Sequence, residues 1–445
     1  MKPITFWCWT TLAILVALLS SLRDTSAITL DECIVATLRN SPDARAATER
    51  VQAARSAIKE AQSAYYPMLV GSTTYARTDN PPQAFMMMLN QRNVSMQSDF
   101  NNPPDTDNLA LSLGLKYRLY DFGRRELDNE MARSGMEISR LVLRGLQNDL
   151  IHQVTRGYYS VLQAGAFVTV QEESIKTLEE SLRVANERLK AGSAVRTDVL
   201  NLEVQLAQAK EGAIRARNGV KLSLAALNTA IGTNLVAAAN VPATVEPPVT
   251  HPPESEDLSV ILSRPELQAA RKGAEIQGAA LRKARRQHMP TVNAFGSLDW
   301  NSDVSTDFER SYFVGVAAEV DLFDGFRHDA GVAGARAQQR AAAAEAEKAA
   351  NNLRLDLTAA SIQVGESWER LDVARQSIAN AEEALRITQQ RYQQGAADLP
   401  ELLTAQVGLT GTRTRHVAAL YDYLIALSNV ERAKGSLVGR YSEGN

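Results

Sequence analysis

Cysteine is nearly missing from this chain: Cys8 and Cys33 are the only two in 445 residues. A fold stapled by an intramolecular disulfide is excluded once a leader carrying Cys8 is removed. Basic charge shows no surplus, with 48 Lys and Arg against 51 Asp and Glu and a net charge of −3. That balance excludes the positive face of a nucleic-acid binder. Aromatic residues contribute only 6% and alanine is abundant, a composition suited to long helices packed close together. Beyond the N-terminus no stretch approaches the roughly 20 apolar residues of a membrane-spanning helix, so a membrane position is open only to a β-barrel. The five histidines are scattered without ligand spacing. No phosphate loop, metal-ligand cluster or G-x-S-x-G turn occurs, so an enzyme is not expected.

What is present begins with a leader. Lys2, the apolar run Leu12 to Leu19 and the small residues Thr25-Ser26-Ala27 make residues 1–27 read as a secretory signal peptide. Cys33 follows Leu30-Asp31-Glu32, where small residues would precede a lipidated cysteine. A buried or idle thiol is therefore expected rather than a lipid anchor.

The mature chain is written twice. Ser41-Pro42-Asp43-Ala44 is echoed by Arg264-Pro265-Glu266-Leu267, and Pro67 by Pro290, at an offset of 223. Later the offset is 203: Asp121 matches Asp324, Gly192 matches Gly395, Leu200 matches Leu403 and Gly232 matches Gly435. The change of about 20 residues falls in the loop after Tyr75, which is longer than its counterpart after Trp300, and insertions in one repeat map to loops. The sequence thus divides into a first repeat at 28–240, a proline-rich linker at 241–262, a second repeat at 263–436 and a tail at 437–445. Pro242, Pro247, Pro248, Pro252 and Pro253 make Val241 to Pro253 a stiff, extended segment.

Each repeat reads as helix, strand, strand and a very long helical region. Ala44 to Ala64 and Leu267 to Gln287 have helical spacing and end at a proline that opens a strand. Strands are expected at 67–77, 109–121, 290–300 and 311–323. Leu109, Leu111, Leu113, Leu115, Tyr117 and Leu119 alternate with Ala110, Ser112, Gly114, Lys116 and Arg118. Tyr312, Val314, Val316, Ala318, Val320 and Leu322 do the same in the second repeat, as do Val292, Ala294, Leu298 and Trp300. One apolar face against one small or polar face suits a transmembrane barrel, and equally a soluble sandwich. After Gly123 and Gly325 the period becomes helical. Ile175, Leu178, Leu182, Ala185 and Leu189 form one coiled-coil seam, and Ile378, Ala381, Leu385, Thr388 and Tyr392 another. From Arg124 to Lys190 there is no proline, enough helix for about 100 Å at 1.5 Å per residue. Four strands cannot close a membrane barrel, which needs about eight or more. Open edges in lipid are costly, so several copies must share one barrel under cyclic symmetry.

The ordered set of marks resembles the TolC family of outer-membrane efflux proteins. It comprises the tandem halves, Ser41-Pro42-Asp43, Tyr120-Asp121-Phe122-Gly123 and Leu322-Phe323-Asp324-Gly325. To these belong Arg188-Leu189-Lys190-Ala191-Gly192 and Arg391-Tyr392-Gln393-Gln394-Gly395 before the last helix of each half. The resemblance runs from about Ile28 to Gly435. It implies a mixed α/β membrane protein, with a homotrimer sharing a 12-stranded transmembrane β-barrel continuous with a long periplasmic α-helical coiled-coil barrel. It implies a passive exit duct in the outer membrane of a Gram-negative cell, extending into the periplasm, that does no chemistry and uses no cofactor. Such ducts are opened at the periplasmic end by an adaptor (membrane fusion protein) and an inner-membrane pump of RND, ABC or MFS type.

By the same resemblance Asp198 matches the family's gate aspartate and Tyr392 its gate tyrosine. A carboxylate accepting the phenol hydrogen is a charge-assisted bond suited to a latch. The family's gate arginine falls at Ala397, a departure that leaves closure to other contacts, such as those of Arg196. Glu401 matches the first position of an acidic ring that narrows the pore and would favour cations, while Thr404 replaces the second. Asp198 and Glu401 also begin the last helix of each half, where carboxylates stabilise an N-terminus. Gly192 and Gly395 are placed to reverse the helices at tips that touch the adaptor, or to close ordinary hairpins.

Two features stand outside this reading. Met86, Met87, Met88 and Met96 lie in the long first loop. Thioethers suit soft metals such as Cu(I), but loop packing is the preferred reading and no metal site is expected. Trp300, Tyr75 and Tyr312 lie near strand ends, where they suit an interfacial aromatic belt or simple loop packing. The competing class is a periplasmic coiled-coil structural or adaptor protein, which would share the leader and the heptads but not the four alternating strands.

Overall fold

The structure, a computed structural model, describes residues 28–95, 97, 99, 101–233, 236, 258–303 and 307–442. The expected leader, the segment Val241 to Pro253 and Met96 lie outside them. Over the first repeat run α1 (Leu30–Asn40), α2 (Pro42–Ser63), β1 (Met68–Thr78), α3 (Pro81–Asn90), β2 (Thr106–Tyr120), α4 (Arg124–Lys190) and α5 (Arg196–Ile231). A 3-10 turn at Leu258–Ser263 leads into α6 (Pro265–Arg285), β3 (Thr291–Ser302), β4 (Glu309–Glu319), α7 (Arg327–Gln393), α8 (Leu399–Lys434) and α9 (Leu437–Ser442). The long helices match across the repeats: α4 and α7 each have 67 residues, α5 and α8 each have 36.

Two compact units cut across the repeats. One is formed by the described residues within Met1–Thr48, Leu143–Pro265 and Ala350–Asn445, the other by those within Glu49–Val142 and Glu266–Ala349. Each takes corresponding pieces from both halves of the sequence.

The second unit carries a four-stranded antiparallel meander in the order β1-β2-β3-β4, with β1 and β4 at its edges. Register places Leu113 opposite Leu298, Leu298 opposite Tyr312, and Ala294 opposite Val316. Because side chains alternate across a strand, Leu111, Leu113, Leu115, Leu298, Val314 and Val316 share one face, and all six are exposed. The other face mixes polar and small residues with the Phe295–Phe313 ring pair, whose centroids lie 5.5 Å apart. Ser112 and Ser297 both donate to the Asp299 carboxylate, and Asn108 Nδ2 donates to Asn301 Oδ1 at 3.0 Å. Strands of 11 to 15 residues are long enough to cross a bilayer when tilted. No helix among the described residues is long and apolar enough to do so.

The long first loop folds into α3, and Gln91 at its C-terminus donates to Asn108 Oδ1 at 2.9 Å. Tyr75, Trp300 and Tyr312 lie on the apolar face toward the end of the sheet that carries this loop.

The first unit is helical. Thr29 and Glu32 cap α1 reciprocally, the capping-box exchange that satisfies two free N–H groups. Behind the cap, Cys33 and Ile34 join Ile151, Val154, Leu227 and Leu424 in a core drawn from α1, α4, α5 and α8. Complete burial of such a side chain contributes about 1.5–3 kcal/mol. Cys33 is fully buried, and burial together with the nearby Glu32 carboxylate raises its thiol to about 11. It is therefore protonated and inert at neutral pH.

Three expectations are corrected. Leu258–Ser263, at the end of the span read as linker, is helical because Ile261 finds a buried seat. The residues after 436 are not a bare tail: Leu437 is buried in the core, and Tyr441 donates to Asp31 Oδ1 at 2.8 Å. The strand expected to reach 323 stops at Glu319, so Val320 and Leu322 lie beyond it. There the chain turns, and Asp324 accepts from the His328 N–H at 2.9 Å in the first turn of α7.

Candidate functional site

The two 67-residue helices, α4 and α7, end in the same backbone turn. At the end of α4, Ser193 N–H donates to Arg188 O at 2.8 Å and Gly192 N–H to Leu189 O at 3.0 Å. At the end of α7, Ala396 N–H donates to Arg391 O at 2.8 Å and Gly395 N–H to Tyr392 O at 3.0 Å. This is the Schellman pattern, which needs a left-handed residue after the helix. Gly192 at φ 73° and Gly395 at φ 78° supply it. Both glycines are exposed at the tips of two helical hairpins, α4–α5 and α7–α8.

Behind the tips the hairpins share one core. Leu178 and Ala185 of α4, Leu202 and Leu206 of α5, Leu385 and Tyr392 of α7, and Leu399 and Leu402 of α8 pack together. These include the expected seams, with Ile175, Leu182, Leu189 and Ala381 at their margins. Arg413 of α8 ties the hairpins farther from the tips: it pairs with Glu382 on α7 at 2.7 Å and with Glu173 on α4. Its repeat counterpart, Lys210, stays within its own hairpin on Glu179 at 3.4 Å.

Tyr392 is 3% exposed, yet among the described residues its hydroxyl has no hydrogen-bond partner. An unmet buried hydroxyl is costly, about 1–3 kcal/mol. Burial holds the phenol above its ordinary pKa, the Arg188 guanidinium works against that, and the Asp198 carboxylate adds to it. The phenol therefore stays protonated and able to donate. Asp198, in the first turn of α5, is near enough for its charge to act on Tyr392. The expected Asp198–Tyr392 hydrogen bond is nevertheless absent from the single chain. Instead the Arg188 guanidinium lies over the Tyr392 ring, 4.9 Å from its centroid, and donates to Tyr392 O at 2.6 Å.

Glu401, expected as a bare acidic ring residue, accepts from Arg391 Nη1 at 2.5 Å. The pair is about half exposed. Asp398 is the N-cap of α8, its carboxylate accepting from Glu401 N–H at 2.9 Å. At the equivalent place in α5, Val195 caps without a side-chain bond. Ala397, at the family's arginine position, packs against the shared core. Sequence reading missed Arg188, Arg391 and Asp398. Both arginines stood in the marks that carried the resemblance, and Asp398-x-x-Glu401 is a capping pattern.

Met86, Met87 and Met88 fall on α3. Successive helical residues are about 100° apart, so three in a row do not converge, and Met86 is 55% exposed. No group of three or more His, Cys, Asp or Glu suited to a metal occurs among the described residues.

The outer membrane efflux protein family matches residues 33–233 and 259–436. Protein CyaE of Bordetella pertussis is 24% identical over 411 residues, 88% of this chain and 80% of that protein. The outer membrane efflux protein BepC of Brucella suis is 22% identical over 419 residues, 92% of this chain and 86% of the relative. Among solved structures, the outer-membrane channel OprN superposes with a TM-score of 0.79 at 19% identity, covering 92% of this chain and 90% of that one.

Proposed function

Because the chain belongs to the outer membrane efflux protein family, we propose that its paired helical tips form the periplasmic gate of an export duct built from three copies. The protein is an outer-membrane channel of tripartite efflux or secretion, lying in the outer membrane and extending into the periplasm. The family is one of channels, and such channels work with adaptors and inner-membrane pumps.

The sheet supports the shared barrel. Its apolar face is exposed in the single chain and β1 and β4 are its edges. Unpaired edges in lipid cost several kcal/mol for each unsatisfied backbone group. Joining β1 of one copy to β4 of the next removes them, and three copies close 12 strands. Native mass of the detergent-extracted protein tests this: a trimer from the outer membrane is expected. A soluble periplasmic monomer would leave the coiled-coil adaptor class in front.

The buried, unpartnered hydroxyl of Tyr392 carries the gate reading. In the assembled ring the Asp198 carboxylate accepts from it and latches the tips closed. Glu401 lines the narrowed end, its charge offset by Arg391, so any cation preference is weaker than three free carboxylates would give. The turns at Gly192 and Gly395 meet the periplasmic adaptor, through which an RND, ABC or MFS pump drives opening. In planar bilayers, Asp198→Ala and Tyr392→Phe should both raise single-channel conductance. Unchanged conductance in both, with the trimer intact, would overturn the latch.

A further inference from the structure

The two tip arginines are repeat-equivalent, and half of what they do is identical. Arg188 Nη2 donates to Ser193 O at 3.2 Å, and Arg391 Nη2 donates to Ala396 O at 3.1 Å. Each thus anchors its own turn five residues on. The other arm of the guanidinium separates them. Arg391 Nη1 takes Glu401 of its own hairpin, whereas Arg188 Nη1 crosses to Tyr392 O on the other hairpin and its plane covers the Tyr392 ring.

The cause is visible in the equivalent acid. Position 401 is Glu and position 198 is Asp, one methylene shorter. Among the described residues no side chain pairs with the Asp198 carboxylate, so Arg188 is left free to turn to the neighbouring hairpin. The Tyr392 carbonyl lies in the last turn of α7, at the negative end of that helix, where a cation is favourably placed. The ring face adds a cation–π contact.

We propose that Arg188 is the positioning residue of the gate, a clasp that holds the second hairpin's Tyr392 against the first hairpin and resists their separation. It supplies from the first repeat the cation that position 397 of the second, an alanine, does not. The short side chain of Asp198 keeps the clasp engaged across hairpins. The inference rests on the tip-gate reading above, but it concerns the Tyr392 carbonyl and ring, not the hydroxyl.

Single-channel recording of the full-length trimer in planar bilayers separates the two. Arg188→Ala should raise the open fraction about tenfold, the factor set by one charge-assisted bond of ~1.4 kcal/mol. Arg188→Lys keeps the charge without the fork and should restore only part of the closure. Asp198→Glu should also open the channel, because the longer acid draws Arg188 back to its own hairpin as Glu401 draws Arg391. Spin labels at the exposed Lys190 and Gln394 should report a wider tip separation in Arg188→Ala and in Asp198→Glu. Opening by Tyr392→Phe and Asp198→Ala, with Arg188→Ala unchanged in both readouts, overturns the clasp and leaves the hydroxyl latch standing. Opening by Arg188→Ala and Asp198→Glu, with Tyr392→Phe silent, supports the clasp and removes the latch. Silence in every variant, with trimers intact, overturns both.

Discussion

The tip of the first hairpin and the tip of the second share one backbone turn, and three of their side-chain differences decide what each tip contacts. Both close in the same hydrogen-bonded turn around a left-handed glycine, with an arginine at the same place. Leu189 in the first becomes Tyr392 in the second, Val195 becomes Asp398, and Asp198 becomes Glu401. Those changes make the second tip self-sufficient, with its own cap and its own ion pair. The first tip lacks both and spends its arginine on its neighbour. Duplication thus supplies two turns of the same backbone form, and divergence of the side chains around them gives the two arginines different partners.

The widest gap between the tips should be in packing. Tyr392→Ala removes a side chain buried in the shared core and strips Arg188 of its ring contact. A loss of about 3 kcal/mol is expected for a buried aromatic truncation. Leu189→Ala, at the equivalent position but only at the margin of that core, should cost about 1 kcal/mol. Native-state hydrogen exchange of the amides in the last turns of α4 and α7 reads both losses locally. Equal effects would mean that the two positions carry the same load, and the comparison would fail.

Higher on the same helices the repeats diverge again. His152 on α4 hydrogen-bonds Ser428 at 3.0 Å, while the equivalent Leu355 on α7 is 70% exposed. Burial first, then the Arg432 and Arg156 charges, push the imidazole from 6.5 down to about 4, with Asp356 opposing. A depressed folded-state pKa means the neutral form is the one the fold accepts. Its contribution is therefore complete above pH 6.5 and is lost as pH falls through about 4. Allowing for partial solvent screening, that contribution is on the order of 1–2 kcal/mol. Thermal unfolding at pH 7 and pH 4.5 should show a smaller acid penalty in His152→Gln than in the parent. Parallel pH slopes would contradict this.

The caps offer an exchange in both directions. Val195 and Asp398 have nearly the same extended backbone, φ −100° and −89°, so the side chains are interchangeable without strain. Asp398→Ala should destabilise the start of α8 by ~1 kcal/mol, and Val195→Asp should stabilise α5 by a similar or smaller amount. If Val195→Asp does nothing, the first tip is limited by something other than its missing cap.

Much of this architecture was legible because it is periodic. Leu113, Leu298 and Val314 announce a strand face by alternation, and Leu178, Leu385 and Tyr392 announce helical seams by their spacing. Proline and glycine at matched offsets exposed the duplication. The short helices were not legible: α1 is announced only by the Thr29–Glu32 box, and α9 by a single Leu437–Tyr441 spacing. At the site, sequence singled out Asp198, Tyr392 and Glu401 but could not tell that Arg188 would lie on Tyr392 and Arg391 on Glu401. Arg188 and Arg391 occupy equivalent positions, each four residues before the glycine of its turn. Their partners are decided by one methylene and by a neighbouring hairpin more than two hundred residues away, and neither leaves a local pattern.

The smallest expected effect is on stability at the Arg391–Glu401 pair, and it is useful because a different property should move. The two side chains are 48% and 42% exposed, so their contact contributes ~0–1 kcal/mol. Arg391→Ala should leave the melting temperature almost unchanged. It should, however, uncover the Glu401 carboxylate, and in the proposed three-copy pore the added negative charge should raise the preference for cations. Reversal potentials under a salt gradient measure that preference directly, and they should shift toward the cation limit in Arg391→Ala and away from it in Glu401→Gln. The first tip has no equivalent pair, so Arg188→Ala should change opening without moving the reversal potential. A shift in Arg188→Ala as large as that in Arg391→Ala would show that both arginines screen the pore, and that the two tips differ less in role than in geometry.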